Sequence, residues 1–237
     1  MSTLDDRSSV ETDAAPMLRE GQRLDQPTFH AIYERMPDDF KAELIDGVVH
    51  LVNMPLYSGH GESDSSMIGL LFFYSIETPG TVVRNGVTTK LLPNSEVQPD
   101  SCLLILPECG GRSRKDGQGA MVNAPELVVE ISDSSLRLDL GAKKRVYEKA
   151  GALEYLVFDV KKREFRWFSL AGERFEALKP DPDGLYRSKA FPGLWIDEAA
   201  FAEGNFQAAF ATLRLGLASP KHAEFVGRLR ANHANRP

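Results

Sequence analysis

The chain has 237 residues, 42% of them hydrophobic, and a formal net charge of -6. It is long enough to bury one substantial core and lacks the global basic field of many nucleic-acid binders, though a local patch remains compatible with that charge. Cys102 and Cys109 are too few for a disulfide framework or a cysteine-based zinc site, no apolar run reaches the roughly 18 residues of a membrane helix, and the polar, acidic N-terminus is unlike a signal peptide. A soluble, reduced, cytoplasmic protein with no membrane partner is the expectation.

Residues 1 to about 22 lack periodicity and are rich in Ser, Asp, Thr and Glu, which predicts a disordered lead-in. From Thr28, the residues Phe29, Ile32, Tyr33 and Met36 recur at helical intervals and predict a short amphipathic helix ending before Pro37. Asp46-Gly47 lies between two apolar runs and reads as a tight hairpin turn, with Glu43 just before it. Tyr57 to Gly59 lead into a helix carrying Met67, Ile68, Leu70, Leu71, Phe72, Tyr74 and Ile76, apolar enough around its circumference to pack on more than one side. His60 stands near its start. After Pro79-Gly80, residues 81–92 read as a strand pair, or one long strand, interrupted at Asn85-Gly86. Residues 97–105 read as one strand in which Pro99 denies a ladder donor at the entry and Asp100 sits beside it. Residues 107–123 are Gly-rich and basic and predict a mobile surface loop. Its Arg112, Arg114 and Lys115 suit either a solvated charge run or a phosphate.

Residues 125–160 form a strand-helix-strand pattern. In strand spacing Leu127, Val129 and Ile131 face one way, while Val128 and Glu130 face the other, so a carboxylate lies inside an otherwise apolar strand. Burying that charge costs on the order of several kcal/mol unless a partner or a metal offsets it. Ser132 to Ser135 suit a turn and helix cap, and the helix that follows places Leu136, Leu140, Lys143, Tyr147 and Ala150 on one stripe. Lys143 is therefore on the inward-facing side, a position from which a lysine can also snorkel out to water, whereas Lys144 and Arg145 read as solvent-facing. Gly151 caps the helix, a strand follows over residues 154–160, and an antiparallel meander extends it through 165–170 and 174–178. Residues 186–190 suit an edge strand. From Asp197 onward the pattern is helical, with a last helix over 221–230, and these helices either cover the domain or pair two chains.

Asp100 at the entry of one strand, Glu130 on the next and an inward Lys143 make a constellation. Carboxylates on adjoining strands are the hard oxygen ligands that Mg²⁺ prefers, and a nearby ammonium orients a water or stabilises charge on a phosphate oxygen. That is the chemistry of metal-assisted phosphodiester hydrolysis.

The ordered segments AELIDG, MPLYSGH, VQPD, PELVVEISDSS and DLGAKKRVYEKAGALEYLVFD, spread over residues 28–195, resemble the Uma-two family of restriction endonucleases within the PD-(D/E)xK nuclease superfamily. The resemblance implies an α/β fold with a restriction-endonuclease-like core, a central mixed β-sheet flanked by helices. That core would span residues 23–196, between the tail 1–22 and a C-terminal helical extension, 197–237. The superfamily's proline-aspartate pair falls on Pro99-Asp100 and its second acid on Glu130. Ser132 stands where a lysine is usual, and Lys143 fits a relocation of that lysine to the following helix. The family's early glutamate falls on Glu43 and its histidine on His60. The resemblance further implies Mg²⁺, with Mn²⁺ able to substitute, bound by Asp100, Glu130 and the carbonyl of Ile131. Lys143 would orient water, with Glu43 and His60 in support. Nucleic acid, with DNA expected, is the implied partner, and a homodimer is implied for double-strand cutting. Two other classes stay open: a nuclease fold that binds nucleic acid or a protein without cutting, and a metal-dependent hydrolase of small phosphate esters.

Overall fold

The computed structural model describes residues 17–52 and 58–235. Residues 1–16 of the expected lead-in, and residues 54–57 of the MPLYSGH segment, lie outside the described residues. From residue 17 to 22 the chain is packed rather than free: Leu18 is buried, and the Gly21 N–H donates to Val49 O at 2.9 Å.

In chain order the strands are β1 (Ala42–Ile45), β2 (Val48–Leu51), β3 (Thr81–Asn85), β4 (Thr89–Leu92), β5 (Ser95–Val97), β6 (Ser101–Ile105), β7 (Arg114–Lys115), β8 (Met121–Val122), β9 (Leu127–Ser132), β10 (Glu154–Asp159), β11 (Glu164–Ala171), β12 (Arg174–Ala177), β13 (Leu185–Arg187) and β14 (Trp195–Asp197). The helices are α1 (Gln26–Tyr33), α2 (Ser58–Glu77), α3 (Leu136–Leu138), α4 (Lys144–Ala150), α5 (Glu198–Glu203), α6 (Phe206–Leu217) and α7 (Pro220–Ala234), with a π turn, Asp139–Lys143, joining α3 to α4. Among the described residues the central sheet runs β12-β11-β10-β9-β6-β3. It is mixed, because β9 and β10 are parallel and its other pairs antiparallel. A second sheet runs β2-β1-β5-β4-β8-β7, and β13 pairs with β14.

The alternation expected of β9 decides how the layers form. Leu127, Val129 and Ile131 enter the larger core with Leu70 and Tyr74 of α2 and Leu213, Phe225 and Leu229 of α6 and α7. Val128 enters a second core with Val146 and Tyr147 of α4 and Tyr155 and Val157 of β10. Both faces of the sheet are thus covered, and the helices after Asp197 share the main core. On α2, Met67, Leu71 and Tyr74 are buried and Phe73 meets Phe210 edge-on, but Phe72 and Ile76 remain 59% and 58% exposed. The Asp46-Gly47 turn joins β1 to β2 with φ of 52° and 79°, the left-handed pair that such a two-residue hairpin requires.

Three expectations are corrected. Residues 97–105 are not one strand: β5 ends at Val97 in the second sheet and β6 begins at Ser101 in the central one. Pro99 has no N–H to donate, and the Gln98 N–H goes to the Glu43 carboxylate at 2.7 Å instead of to a strand. Residues 81–92 likewise divide between the sheets, with the Gly86 N–H turned onto Pro99 O and Asp100 O. Residues 107–123 are built into the second sheet through β7 and β8 rather than forming a free loop, and buried Glu126 fixes the segment's start by accepting from the Ile105 and Arg112 N–H groups.

The β13-β14 connection closes tightly on the C-terminal helices. Gly193 has φ of +92°, and a Cβ there would lie 2.8 Å from His222 Cβ and 3.0 Å from Gly216 O. Gly193→Ala should therefore lower the unfolding free energy by about 2–4 kcal/mol in urea titrations, combining backbone strain with overpacking.

Candidate active site

The site forms where the break between β5 and β6 meets the C-terminal end of β9. In the β6-β9 register Ser101 faces Val129, and continuing by one residue brings Asp100 beside Glu130. Asp100 is fixed there by the Ile131 N–H, which donates to its Oδ2 at 2.7 Å. Glu130 shares the Val128 side of the strand, under the helix that carries Lys143. Lys143 Nζ lies 2.8 Å from Glu130 Oε1, 3.1 Å from Glu43 Oε1 and 3.9 Å from Asp139 Oδ1. Tyr147, one turn further on, donates its hydroxyl to Glu130 Oε1 at 3.2 Å. Lys143, Glu43, Glu130 and Asp139 are all buried, whereas the Asp100 side chain is 30% exposed and marks the open edge. His60 joins it there, with Nε2 at 3.8 Å from Asp100 Oδ2.

The fold thus brings Asp100, Glu130, Lys143 and Glu43 together, with His60 at the rim. Ile131 contributes its N–H to Asp100, and its side chain is buried in the main core.

Charge at the centre does not balance. Three buried carboxylates surround one ammonium, a formal excess of two negative charges before Asp100 is counted. Burial pushes the Glu130 carboxyl well above its ordinary range; Lys143 opposes this, and Asp100, Asp139 and Glu43 add to it. Burial works against the charged form of Lys143, but Glu130, Glu43 and Asp139 outweigh it and hold the ammonium well above the ordinary lysine range. Asp100 is raised as well, by burial first, with the Ile131 N–H, Lys143 and His60 partly offsetting it.

Two acids of the site were not singled out from sequence. Asp139 opens the π turn, and its Oδ2 accepts from the hydroxyls of both Ser132 and Ser135. Its position four residues before Lys143 was the available signal. Asp64 lies four residues after His60 on α2, and its Oδ1 is buried with no hydrogen-bond partner among the described residues. Its carboxyl is pushed up to about 6, chiefly by burial and then by Asp100, with His60 and Asn85 opposing.

Among the described residues no three His, Cys, Asp or Glu side chains form a ready metal cage. The donors present still suit a hard divalent cation: carboxylate and carbonyl oxygens, an unpartnered buried oxygen on Asp64, and an uncompensated negative charge.

A mixed sheet covered by helices on both faces, with an acid at a Pro-Asp break, an acid on the neighbouring strand and a lysine paired to that second acid, defines a restriction-endonuclease-like α/β protein. The family model Uma2, described as "Putative restriction endonuclease", matches residues 27–199, and the chain belongs to that family. Among solved structures it is similar to "a putative nuclease belonging to DUF820" from Anabaena variabilis ATCC 29413, with 14% identity and a TM-score of 0.53 over 77% of this chain and 97% of that one. At that identity the likeness shows the fold. None of the curated proteins matches the sequence.

The Asp64 carboxyl gives a pH test. Its pKa is raised on folding, from 3.8 to about 6, so its contribution to stability is fully present below the lower value and is lost as pH rises through the upper one. Asp64→Asn should leave stability unchanged near pH 4. Near pH 8 it should raise stability by roughly 1 kcal/mol, a figure discounted because the group is only partly buried. Thermal unfolding in EDTA at the two pH values measures the difference.

Proposed function

We propose that this chain is a divalent-metal-dependent endonuclease that hydrolyses phosphodiester bonds in DNA. The observation that carries the reading is the meeting of Asp100, Glu130 and Lys143 at the end of the central sheet. Asp100, Glu130 and the Ile131 carbonyl are the groups that would hold Mg²⁺, with Mn²⁺ able to substitute. When bound, the ion supplies Lewis-acid polarisation of a phosphate oxygen and a more acidic water.

The chain's own residues do the rest. Lys143, with three donors and no acceptor, directs protons at the attacking water and at charge growing on the phosphate, so it orients and stabilises rather than acting as a base. Glu43, fixed by the Gln98 N–H, takes up the ammonium when Glu130 is engaged elsewhere. His60 at the exposed edge steadies Asp100 and stands where a leaving oxygen would need a proton. In the reaction the water oxygen bonds to phosphorus, the ester P–O bond breaks, and the leaving oxygen acquires the proton. Cutting both strands with one centre per chain calls for two chains, so the reading includes a homodimer.

The direct contact of Lys143 with Glu130 favours one rival, a nuclease fold that binds without cutting, because the ammonium already neutralises a candidate ligand. Cleavage assays with Mg²⁺ on duplex oligonucleotides separate the two. Asp100→Ala and Glu130→Ala should each lower cleavage by more than the ~10–100-fold that outer-shell changes cost at metal sites. Retention of parental cleavage in either variant would sink the proposal.

A further inference from the structure

Each of the three acids around the Lys143 ammonium is itself held by a second donor: Glu43 by the Gln98 N–H, Glu130 by the Tyr147 hydroxyl, and Asp139 by two serine hydroxyls. Asp139 differs from the other two. Its Oδ2 is taken by Ser132 and by Ser135 at 2.6 Å, and its Oδ1 lies toward Nζ at 3.9 Å, so it makes an ion pair with the lysine rather than a short hydrogen bond. Its main-chain carbonyl accepts the Tyr155 hydroxyl at 3.0 Å, which ties the start of the π turn to β10. Ser132 stands two residues beyond Glu130 on β9 and so lies on the same face of the strand. Its hydroxyl links the strand that carries Glu130 to the helical segment that carries Lys143.

We propose that Ser132 and Asp139 form a brace that positions Lys143 over the reaction centre. Both are positioning residues, acting through the lysine and not on substrate. The inference rests on the nuclease reading above for its kinetic consequence, but not for its geometry.

The physical need is plain. A lysine is a point charge on a flexible four-carbon stem, and one acceptor leaves it free to swing. Once Glu130 turns toward a cation, Glu43 and Asp139 are the anions left to hold Nζ near the phosphate. Asp139 can do so because its carboxylate cannot rotate away: two hydroxyls fix one oxygen and leave the other facing the ammonium. The π turn begins at Asp139 and ends at Lys143, so the departure from regular helix falls on the segment that carries the pair.

Asp139→Asn keeps an oxygen for the two serines but removes the charge, and Ser132→Ala removes one hydroxyl while sparing the acid. Two readouts apply: kcat and KM for Mn²⁺-dependent cleavage of a duplex oligonucleotide, and the acylation rate of Lys143 in the native protein by mass spectrometry, with exposed Lys161 and Lys162 as references. Asp139→Asn should lower kcat by about 10–100-fold with KM nearly unchanged, and should cause no further loss in a Lys143→Met background. Its Lys143 should acylate on the order of 10 times faster, with the reference lysines unaffected, and Ser132→Ala should fall between it and the parent. An unchanged Lys143 acylation rate, or an equal kcat loss in both backgrounds, overturns the brace. A parent that does not cleave overturns the nuclease reading instead, and the acylation rates of the two variants still decide the brace.

Discussion

A single ammonium, that of Lys143, lies within 3.1 Å of carboxylates from two different sheets, Glu43 of β1 and Glu130 of β9. In a low-dielectric interior such a pair persists only if the remaining lone pairs and protons are also satisfied, and removing either partner leaves a stranded charge. The surrounding fold meets that condition from several directions. The break at residues 98–100 frees a backbone N–H for Glu43, the π turn brings Asp139 toward the lysine, and Tyr147 covers Glu130. The cluster therefore fastens the second sheet, the central sheet and the helix between them at one point.

The same cluster carries the chemistry proposed for it. An acidic chain with an acidic centre repels a phosphodiester, so the proposed chemistry calls for more positive charge than Lys143 alone supplies. The excess carboxylates and the unpartnered Asp64 oxygen are the complement of a hard cation, and Asp100 and His60 mark where the cluster meets solvent. Family membership and the likeness in fold agree with that reading without supplying the residue roles, which belong to the proposal.

Much of this was legible in the chain. A glutamate in an apolar strand, a lysine on the inward stripe of the next helix and an aspartate after a proline each contradict their local pattern, and such contradictions gather where function overrides packing. The Asp46-Gly47 hairpin, the strand-helix-strand unit and the meander follow from local periodicity and turn chemistry. What was not legible depends on distant partners. Pro99 is the one local mark of the break in residues 97–105, and what moves the chain between sheets there is distant, since the group that captures the Gln98 N–H is 55 positions away. The segment 107–123 reads as loop because its pairing with β4 is non-local. Asp139 looks like an ordinary helical acid until its serines are placed around it, and a stripe drawn at 3.6 residues per turn does not reveal a π turn.

The most direct test is a crystal structure of the protein grown with Mn²⁺ and measured for anomalous scattering. The account predicts one strong peak bonded to both Asp100 and Glu130, with Lys143 displaced from Glu130 and held by Glu43 and Asp139. An absence of any peak at saturating Mn²⁺, with Lys143 still seated on Glu130, would contradict it.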